Sequence, residues 1–317
     1  MSNEEFRMSF ARVRRLGAAV LLLFSLSLAA IHLQAEPIEF TEDDARTAFA
    51  AASNLVESCT PRDAGTLRGR LAANWILDRV SRMGVDASLD KFNALTPDGE
   101  KQFANVVVEF PGMKTNASWI VVMSHFDTMS KIGGGFQGAN DGASTSGLLI
   151  ALAGAIRRAG SRQENIALVW TDGEECRMSY GPNDGFHGSR HLVDTYRARR
   201  RAVKAAICVD MLGDRNLKIT IPANSTPVLK KMALFAAKRT GAADKVAIND
   251  EIVVKDDHSA FLDAGCPALE LIDFEFGSAP GLNDWWHTPQ DTLDKISSQS
   301  LLISGRLAAE LINSLQR

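Results

Sequence analysis

Two adjacent carboxylates, Glu174 and Glu175, follow the apolar run 166–170 near the middle of the chain, after Thr171-Asp172-Gly173. Placing both at the end of a buried strand is costly, because each loses its hydration and the two repel each other. Such a pair is retained where a cation lies between the two groups, or where one of them must exchange a proton. The ordinary alternative is a solvated turn after a strand. The pair therefore poses a choice between a site of chemistry and a surface loop.

Other polar groups at or just beyond the ends of apolar runs favour the first choice. Together with the pair they supply five candidate metal ligands, His125, Asp141, Glu175, Asp210 and His287. Imidazole combined with carboxylate is the ligand set of catalytic zinc, which keeps one coordination position open. Each residue alone has an ordinary explanation, such as a turn at Asn-Asp-Gly or an isolated surface histidine. In this order and at these positions they predict a catalytic metal site.

Two further carboxylates have predicted supporting roles beside these ligands. Asp127, two residues after His125, is placed to hold the second imidazole nitrogen of that histidine. Glu174 beside a liganding Glu175 would remain free to move protons next to the metal. Burial raises the pKa of such a carboxylate, whereas a neighbouring cation lowers it.

Apolar runs that alternate with helical patterns must position these residues. The predicted elements, in chain order, are helices 41–56 and 67–83, strands 85–92, 103–110 and 119–123, helix 144–159, strand 166–170, helix 189–199, strand 205–209, helix 226–238, strand 268–272 and helix 298–315. The first two strands flank a Thr-Pro-Asp-Gly turn and predict an antiparallel edge hairpin. The alternation predicts one globular α/β domain with a mostly parallel sheet and helices on both faces. Ligands of such sheets bind beyond the carboxyl ends of the strands, where distant residues converge.

The first 35 residues have the layout of an export signal. Arg7, Arg12, Arg14 and Arg15 precede an apolar stretch at 16–31, and the chain becomes polar after Ala35. The stretch is short for a spanning helix, which needs roughly 20 residues. We predict a signal peptide, or an uncleaved membrane anchor, at 1–35 and a catalytic domain at 40–317. Either alternative implies export to a periplasm or to the exterior, with membrane contact only if the segment stays uncleaved.

Composition argues against one class of partner but does not decide whether the cysteines form disulfides. The 317 residues, 45% hydrophobic, can bury a sizeable core, and the net charge of −3 argues against a nucleic-acid partner. Four cysteines, Cys59, Cys176, Cys208 and Cys266, allow disulfides after export. Because Cys208 lies in an apolar run and Cys266 just before one, both are better explained as small buried hydrophobic residues.

The order of the motifs resembles a known superfamily. His-x-Asp, Asn-Asp-Gly, Asp-Gly-Glu-Glu, Asp-Met-Leu-Gly and Trp-His-Thr-Pro-x-Asp-Thr are similar to the zinc-dependent aminopeptidases of the M28 type. The resemblance implies a zinc exopeptidase fold with a co-catalytic metal site and Glu174 as the general base. The implied ligands are Asp141 as a bridge or ligand, Glu175 and His287 for a first zinc, and His125 and Asp210 for a second.

A second resemblance, within that superfamily, is to the animal-type glutaminyl-peptide cyclotransferases, or glutaminyl cyclases. It rests on the stretches 92–99 and 103–105, on the long insert 176–186 and on Asp256-Asp257-His258. The resemblance implies that Asp256 makes a hydrogen bond in the neighbourhood of Glu174. It also implies that Trp286 lines the substrate pocket.

The sequence also departs from the cyclase pattern. Glu270 stands where the animal cyclases have a histidine, and Tyr180 replaces a tryptophan of the insert. Asn140-Asp141-Gly142 reads more like the peptidase form. These departures bear on substrate contacts more than on the metal.

The predicted function is that of a zinc-dependent glutaminyl-peptide cyclotransferase acting on the N-termini of peptides or proteins. One zinc, held mainly by Asp141, Glu175 and His287, suffices for cyclisation, whereas the alternative, an M28 aminopeptidase, would use two. A third hypothesis is a non-catalytic binding ectodomain. The intact candidate ligands and Glu174 argue against it, because a protein without catalysis has no chemical need for them.

Overall fold

An eight-stranded mixed sheet forms the centre of the computed structural model, which describes residues 35–133 and 135–317. The strands are β1 (Asp86–Thr96), β2 (Gly99–Phe110), β3 (Trp119–His125), β4 (Asn165–Thr171), β5 (Val203–Asp210), β6 (Ile219–Pro222), β7 (Val246–Asn249) and β8 (Ala268–Ile272). Their order across the sheet is β1-β2-β4-β3-β5-β8-β6-β7. The four central strands, β4, β3, β5 and β8, are parallel to one another, and β6 is parallel to β7, whereas the pairs β1–β2, β2–β4 and β6–β8 are antiparallel.

The described residues contain seven α-helices. They are α1 (Glu42–Cys59), α2 (Leu67–Ser81), α3 (Thr145–Ala159), α4 (His187–Ala198), α5 (Pro227–Arg239), α6 (His258–Asp263) and α7 (Ser298–Leu315). Helix α1 begins at Thr41, whose side chain accepts from the Asp44 N–H, while the Asp44 carboxylate accepts from the Thr41 N–H. This reciprocal capping satisfies two backbone donors that would otherwise lack partners.

The core lies on both faces of the sheet, because the central strands carry buried apolar side chains on both sides. Ile120 and Val122 of β3 pack with α1, α3 and α7, whereas Val121 and Met123 face the side covered by α4 and α6. Successive side chains of β3 thus point to opposite faces of the sheet, as expected for a strand that is buried on both sides. The predicted single α/β domain with helices on both faces is confirmed.

Sequence patterns missed three short elements. Strands β6 and β7 have four residues each, and α6 has six. Runs of this length carry little periodicity, since a strand of four residues spans only two alternations. The predicted hairpin is present, but its strands are longer than predicted and extend to the turn residues Pro97 and Asp98.

The predicted segment 1–35 lies outside the described residues apart from its last residue. Among the residues that are described, none of the helices is both long enough and apolar enough to cross a bilayer. The four cysteines are all free, so the structure contains none of the disulfides that the sequence would allow. Cys208 is fully buried in the sheet core, in keeping with its role as a small hydrophobic residue.

Candidate metal centre and active site

The candidate ligands lie at the carboxyl ends of three neighbouring parallel strands. His125 is the last residue of β3, Asp210 is the last residue of β5, and Glu174 and Glu175 follow β4. Since β3 lies between β4 and β5, these ends meet at one edge of the sheet. Asp141 and His287 reach the same place from an irregular turn before α3 and from the loop after β8.

One group of ligand atoms gathers around His125. Its Nε2 lies 3.1 Å from Asp141 Oδ1 and 3.2 Å from Asp210 Oδ1. The other ring nitrogen, Nδ1, donates to the main-chain carbonyl of Asp127 at 3.1 Å. Because a carbonyl can only accept, Nδ1 carries the hydrogen of the neutral ring and Nε2 turns a lone pair toward two carboxylates. That arrangement is favourable when a cation or an added proton occupies the space between them.

A second group gathers around His287. Its Nε2 lies 3.0 Å from Glu175 Oε1 and 3.3 Å from Asp141 Oδ2. The same Asp141 carboxylate thus faces His125 with one oxygen and His287 with the other. Within each group the ligand atoms lie within 4.8 Å of one another, a separation that one metal ion could span.

Unpaired buried oxygens show that this donor set fits a cation. Glu175 Oε2 is buried and makes no hydrogen bond, and buried Asp141 Oδ2 has only a 3.3 Å contact with His287 Nε2, which already bonds to Glu175 Oε1. A buried carboxylate oxygen without a partner costs free energy comparable to the loss of a hydrogen bond or more. A divalent cation between the two carboxylates and the imidazoles would satisfy both oxygens, and imidazole with carboxylate suits zinc.

Without a cation, these groups shift one another's pKa values. Burial, and then the Asp141 charge, raise the pKa of Glu175 to about 7. Burial lowers the pKa of His287, but its bonds to Asp141 and Glu175 outweigh this effect and raise it to about 10. For Asp141, burial acts to raise the pKa, but the two histidines outweigh it and hold that pKa well below its usual range. The pocket therefore stabilises positive charge among its carboxylates.

Asp127 lies next to His125, but its carboxylate does a different task from the predicted one. Asp127 Oδ1 is 3.7 Å from the histidine Nδ1, too far for a hydrogen bond, and the main-chain carbonyl holds the ring instead. The carboxylate accepts three backbone N–H groups, from Gly173 at 3.0 Å and from Glu174 and Glu175 at 3.2 Å each. Asp127 thus fixes the loop that carries the acidic pair.

Asp141 is held by backbone geometry that requires its neighbour to be glycine. Gly142 has a φ of +86°, and a Cβ there would come within 2.9 Å of the His125 ring. The Asp291 carboxylate accepts the N–H groups of Asn140 at 2.7 Å and Asp141 at 3.0 Å. Asp291, in the Trp-His-Thr-Pro-x-Asp motif, had no role assigned from sequence.

Arg62 is a second residue that sequence reasoning missed. It is fully buried, and its guanidinium donates to the main-chain carbonyls of Phe126 at 2.6 Å, Gln137 at 2.7 Å and Gly138 at 2.6 Å. It therefore ties the segment after β3 to the turn that carries Asp141. Only its buried contacts reveal this role, because an isolated arginine after a helix carries no sequence signal.

Trp286 stacks on the ligand it precedes. The centroid of its ring lies 4.1 Å from that of His287 and 5.6 Å from that of Phe274. His287 has a φ of +53°, a left-handed conformation that is rare outside glycine and asparagine and is found at functional sites. The aromatic stack places a half-buried apolar surface directly beside the candidate ligands.

Glu174 is a buried acid without a strong partner. Its carboxylate lies 3.5 Å from the Tyr180 hydroxyl, and that ring stacks on Phe186 at 4.5 Å. Burial, and then the charges of Asp256 and Glu175, raise the pKa of Glu174 well above its usual range. A neutral or readily protonated acid beside a ligand group is able to give and take protons.

The charge of Asp256 acts on Glu174, but the Asp256 carboxylate hydrogen-bonds to other groups. Its Oδ1 accepts from Cys208 Sγ at 3.4 Å and from the N–H of Asp257. Among the described residues, the hydrogen bonds of the Asp256 carboxylate do not include one to the Glu174 carboxylate. Glu270 is fully buried, and neither of its carboxylate oxygens makes a hydrogen bond. One of them, Oε2, lies 3.0 Å from His258 Nδ1.

Comparison with known proteins places the chain in a family. The sequence profile of peptidase family M28 matches residues 105–312, about two thirds of the chain. The chain therefore belongs to peptidase family M28, as its motifs predicted.

Its relatives include glutaminyl cyclases. The bovine (Bos taurus) glutaminyl-peptide cyclotransferase-like protein is 30% identical over 261 residues, which cover 74% of this chain and 66%, just under two thirds, of that protein. The crystal structure of an Acidobacteriales bacterium glutaminyl cyclase has a TM-score of 0.81 and 34% identity, covering 89% of this chain and 97% of that one.

A more distant structure shares the fold alone. A zinc-dependent exopeptidase from Parabacteroides distasonis has a TM-score of 0.74 at 20% identity, covering 86% of this chain and 98% of that one. The predicted membership of the M28 superfamily, with glutaminyl cyclases as relatives, is confirmed.

Proposed function

We propose that this chain is a zinc-dependent glutaminyl-peptide cyclotransferase that converts an N-terminal glutamine to pyroglutamate with release of ammonia. The observation that carries the proposal is the 34% identity, over nearly the whole of both chains, with a protein named as a glutaminyl cyclase. Support comes from Glu174, a buried acid beside a complete set of candidate ligands.

The proposed resident metal is zinc, held by Asp141, Glu175 and His287. When bound there, zinc supplies a Lewis acid for the side-chain amide oxygen of the substrate. The Asp127 carboxylate and the Asp291 carboxylate orient two of these ligands through the backbone N–H groups that they accept. Such outer contacts preserve the ligand geometry that catalysis needs.

Glu174 is the proposed proton carrier. The α-amine nitrogen of the substrate forms a bond to its own side-chain amide carbon, and the amide C–N bond breaks. Glu174 accepts the proton that the attacking amine loses and delivers it to the departing nitrogen, which leaves as ammonia. The raised pKa of Glu174 brings it closer to the working pH, where one group can serve as base and then as acid.

Positioning supplies much of the remaining effect, because the nucleophile is part of the substrate. Trp286 is the proposed aromatic surface for the glutamine side chain, and its stack on His287 keeps that surface next to the metal ligands. Tyr180 closes the site from the side of the insert, 3.5 Å from Glu174. Exclusion of water favours attack by the amine over hydrolysis.

One observation favours a second candidate, an M28 aminopeptidase. The Asp141 carboxylate faces two separate ligand groups, one with His125 and Asp210 and one with Glu175 and His287. A carboxylate between two groups is the arrangement of a two-metal site, which aminopeptidases use to activate water. Under this candidate Glu174 would take its proton from water instead of from an amine. Asp256, which adjoins Cys208 and raises the pKa of Glu174, would support that base in either case.

A pair of peptides separates these functions. The purified protein, loaded with zinc, is incubated with one peptide that begins with Gln and one that begins with Leu, and both are followed by mass spectrometry. Loss of ammonia from the Gln peptide is expected. Release of the first residue from the Leu peptide would refute the cyclase in favour of the aminopeptidase. A protein that binds zinc but changes neither peptide would instead be a binding ectodomain.

We also propose that the chain is exported and that 1–35 is its signal. Expression of the full chain with fractionation should give a mature protein that begins near residue 36 in the periplasm or the medium. An intact N-terminus in the membrane fraction would favour the anchor. Intact protein in the cytoplasm would overturn export altogether.

A further inference from the structure

A cavity of about 510 Å³ opens beside the candidate active site, between the insert and helix α6. Tyr180 borders both the cavity and the candidate active site, because it lines the cavity while its hydroxyl lies 3.5 Å from Glu174. The volume lies within the roughly 300–1,000 Å³ of small-molecule sites, so the cavity has room for more than one side chain. Neither Glu174 nor Asp256 is among the residues that line it.

The wall of this cavity carries one uncommitted positive charge. Lys255 lines it, is exposed, and makes no ion pair or hydrogen bond with any described residue. Arg190 also lines it, but its Nη1 donates to the main-chain carbonyls of Gly181, Pro182 and Gly185 at 2.8, 3.1 and 3.0 Å. Arg190 therefore holds the insert in place, and its charge is opposed by Asp263 across the same cavity. Lys255 is left as the cation that a ligand can use.

Apolar surface lies next to this lysine. Val253, two residues before it, is 69% exposed, and Leu262 and Phe186 line the same wall. An exposed large aliphatic side chain beside a free ammonium suits a ligand with a methylene stem and a terminal anion. Among amino acid side chains, glutamate has this combination, and aspartate has a shorter version.

We propose that the cavity between the insert and α6 binds the residue that follows the N-terminal glutamine of the substrate, and that Lys255 gives it a preference for an acidic side chain there. The inference rests on the proposed function, since it extends the same site by one residue. Tyr180 is the divider, with the reacting glutamine on its Glu174 side and the second residue on its Lys255 side. Lys255 determines specificity and takes no part in the chemistry.

The test compares three peptides that differ only in their second residue, Gln-Glu-Ala-amide, Gln-Gln-Ala-amide and Gln-Lys-Ala-amide. We expect kcat/KM of the wild-type protein to be about twofold to fivefold higher for Glu than for Gln, the range of a partly screened ion pair, and lower still for Lys. The preference should lie in KM and shrink as salt rises from about 0.1 M to about 1 M, where the screening length falls from about 10 Å to about 3 Å.

Two variants of the same residue test the assignment. Lys255→Met should bring the Glu-to-Gln ratio close to one, and Lys255→Glu should invert the order of the Glu and Lys peptides, a gain that misfolding cannot mimic. Lys231→Met, on the exposed side of α5, is the matched control and should keep the wild-type ratios.

The outcomes distinguish this inference from the proposed function. Ammonia loss from all three peptides at equal kcat/KM, or a preference that Lys255→Met leaves intact, would overturn the acidic subsite alone. Ammonia loss from none of them would overturn the proposed function. Release of the first residue with the wild-type order and its inversion in Lys255→Glu would support the subsite in an aminopeptidase.

Discussion

The Asp127 carboxylate offers a sharp test of how the acidic pair is held. It is fully buried and accepts three backbone N–H groups from residues 173–175. In Asp127→Asn one oxygen becomes an NH₂ group. With the remaining oxygen turned toward Gly173 and Glu174, the new donor faces the N–H of Glu175, so one bond is replaced by a donor–donor contact and the other two lose their ionic partner.

The magnitude follows from the lost bonds. A hydrogen bond to a charged group contributes about 1.5–3 kcal/mol, and each 1.4 kcal/mol is about a tenfold change in an equilibrium constant. If most of this loss falls on the position of Glu175, zinc affinity should decrease about 10- to 100-fold, the range known for residues that orient metal ligands. The assay is competition for zinc with a chelator of known affinity, together with kcat/KM on a Gln peptide at saturating zinc.

A matched control, Asp184, lies 57 residues farther along the chain. The Asp184 carboxylate also accepts three backbone N–H groups, from Arg177 at 2.6 Å, Met178 at 2.8 Å and Ser179 at 3.0 Å, but these belong to the insert. Asp184→Asn should therefore raise KM and leave zinc affinity unchanged. Zinc affinity in Asp127→Asn within twofold of the wild type, or an equal loss in both variants, would refute the assignment of Asp127 as the support of Glu175.

Three further predictions concern catalysis, metal and pH. Glu174→Gln should keep zinc affinity but lower kcat about 10²- to 10⁴-fold, and substantial residual turnover would show that another group carries the proton. Zinc at about 1,000 times its Kd should stabilise the fold by about 4 kcal/mol in urea unfolding, and Asp141→Asn should abolish most of this gain; an equal gain in both proteins would place the zinc elsewhere. Burial raises the pKa of Asp273 to about 7, so the folded state binds the extra proton between about pH 4 and pH 7 and the unfolding free energy should fall as pH rises through that window. Asp273→Asn should flatten this slope in urea titrations from pH 5 to pH 8, and an unchanged slope would refute the assignment.

The sequence predicted the elements that are long and strongly patterned. Apolar runs indicated the positions of β3, β4, β5 and β8, with Glu270 as an interruption in β8, because strands buried on both faces are mostly apolar. From these strands alone, the convergence of His125, Asp210 and the acidic pair at one edge follows from the topology of a parallel sheet. Three of the five candidate ligands, His125, Glu175 and Asp210, could be placed in this way, whereas Asp141 and His287 lie outside the strands and were named from residue type and motif order.

The contacts that support these ligands could not be predicted in the same way. Asp291 is 150 residues from Asp141, and Arg62 is 76 residues from Gly138. No short sequence pattern therefore indicates either interaction. The predicted partner of His125 was the Asp127 side chain, whereas the ring is held by the main-chain carbonyl. A residue pattern gives the identity of a neighbour but not which of its atoms points at the site.

The two candidate reactions share ligands and base, so their difference must come from what surrounds Glu174. Both reactions need a carbonyl activated at the metal and a carboxylate that moves one proton, and both are compatible with Asp141 between two ligand groups. What cyclisation adds is a folded substrate whose amine displaces water from the attacking position. In the proposed site, that displacement would depend on the aromatic surface of Trp286 and on the insert that brings Tyr180 to Glu174. Mutations that open these two walls should therefore raise hydrolysis relative to cyclisation, while mutations of the ligands should lower both.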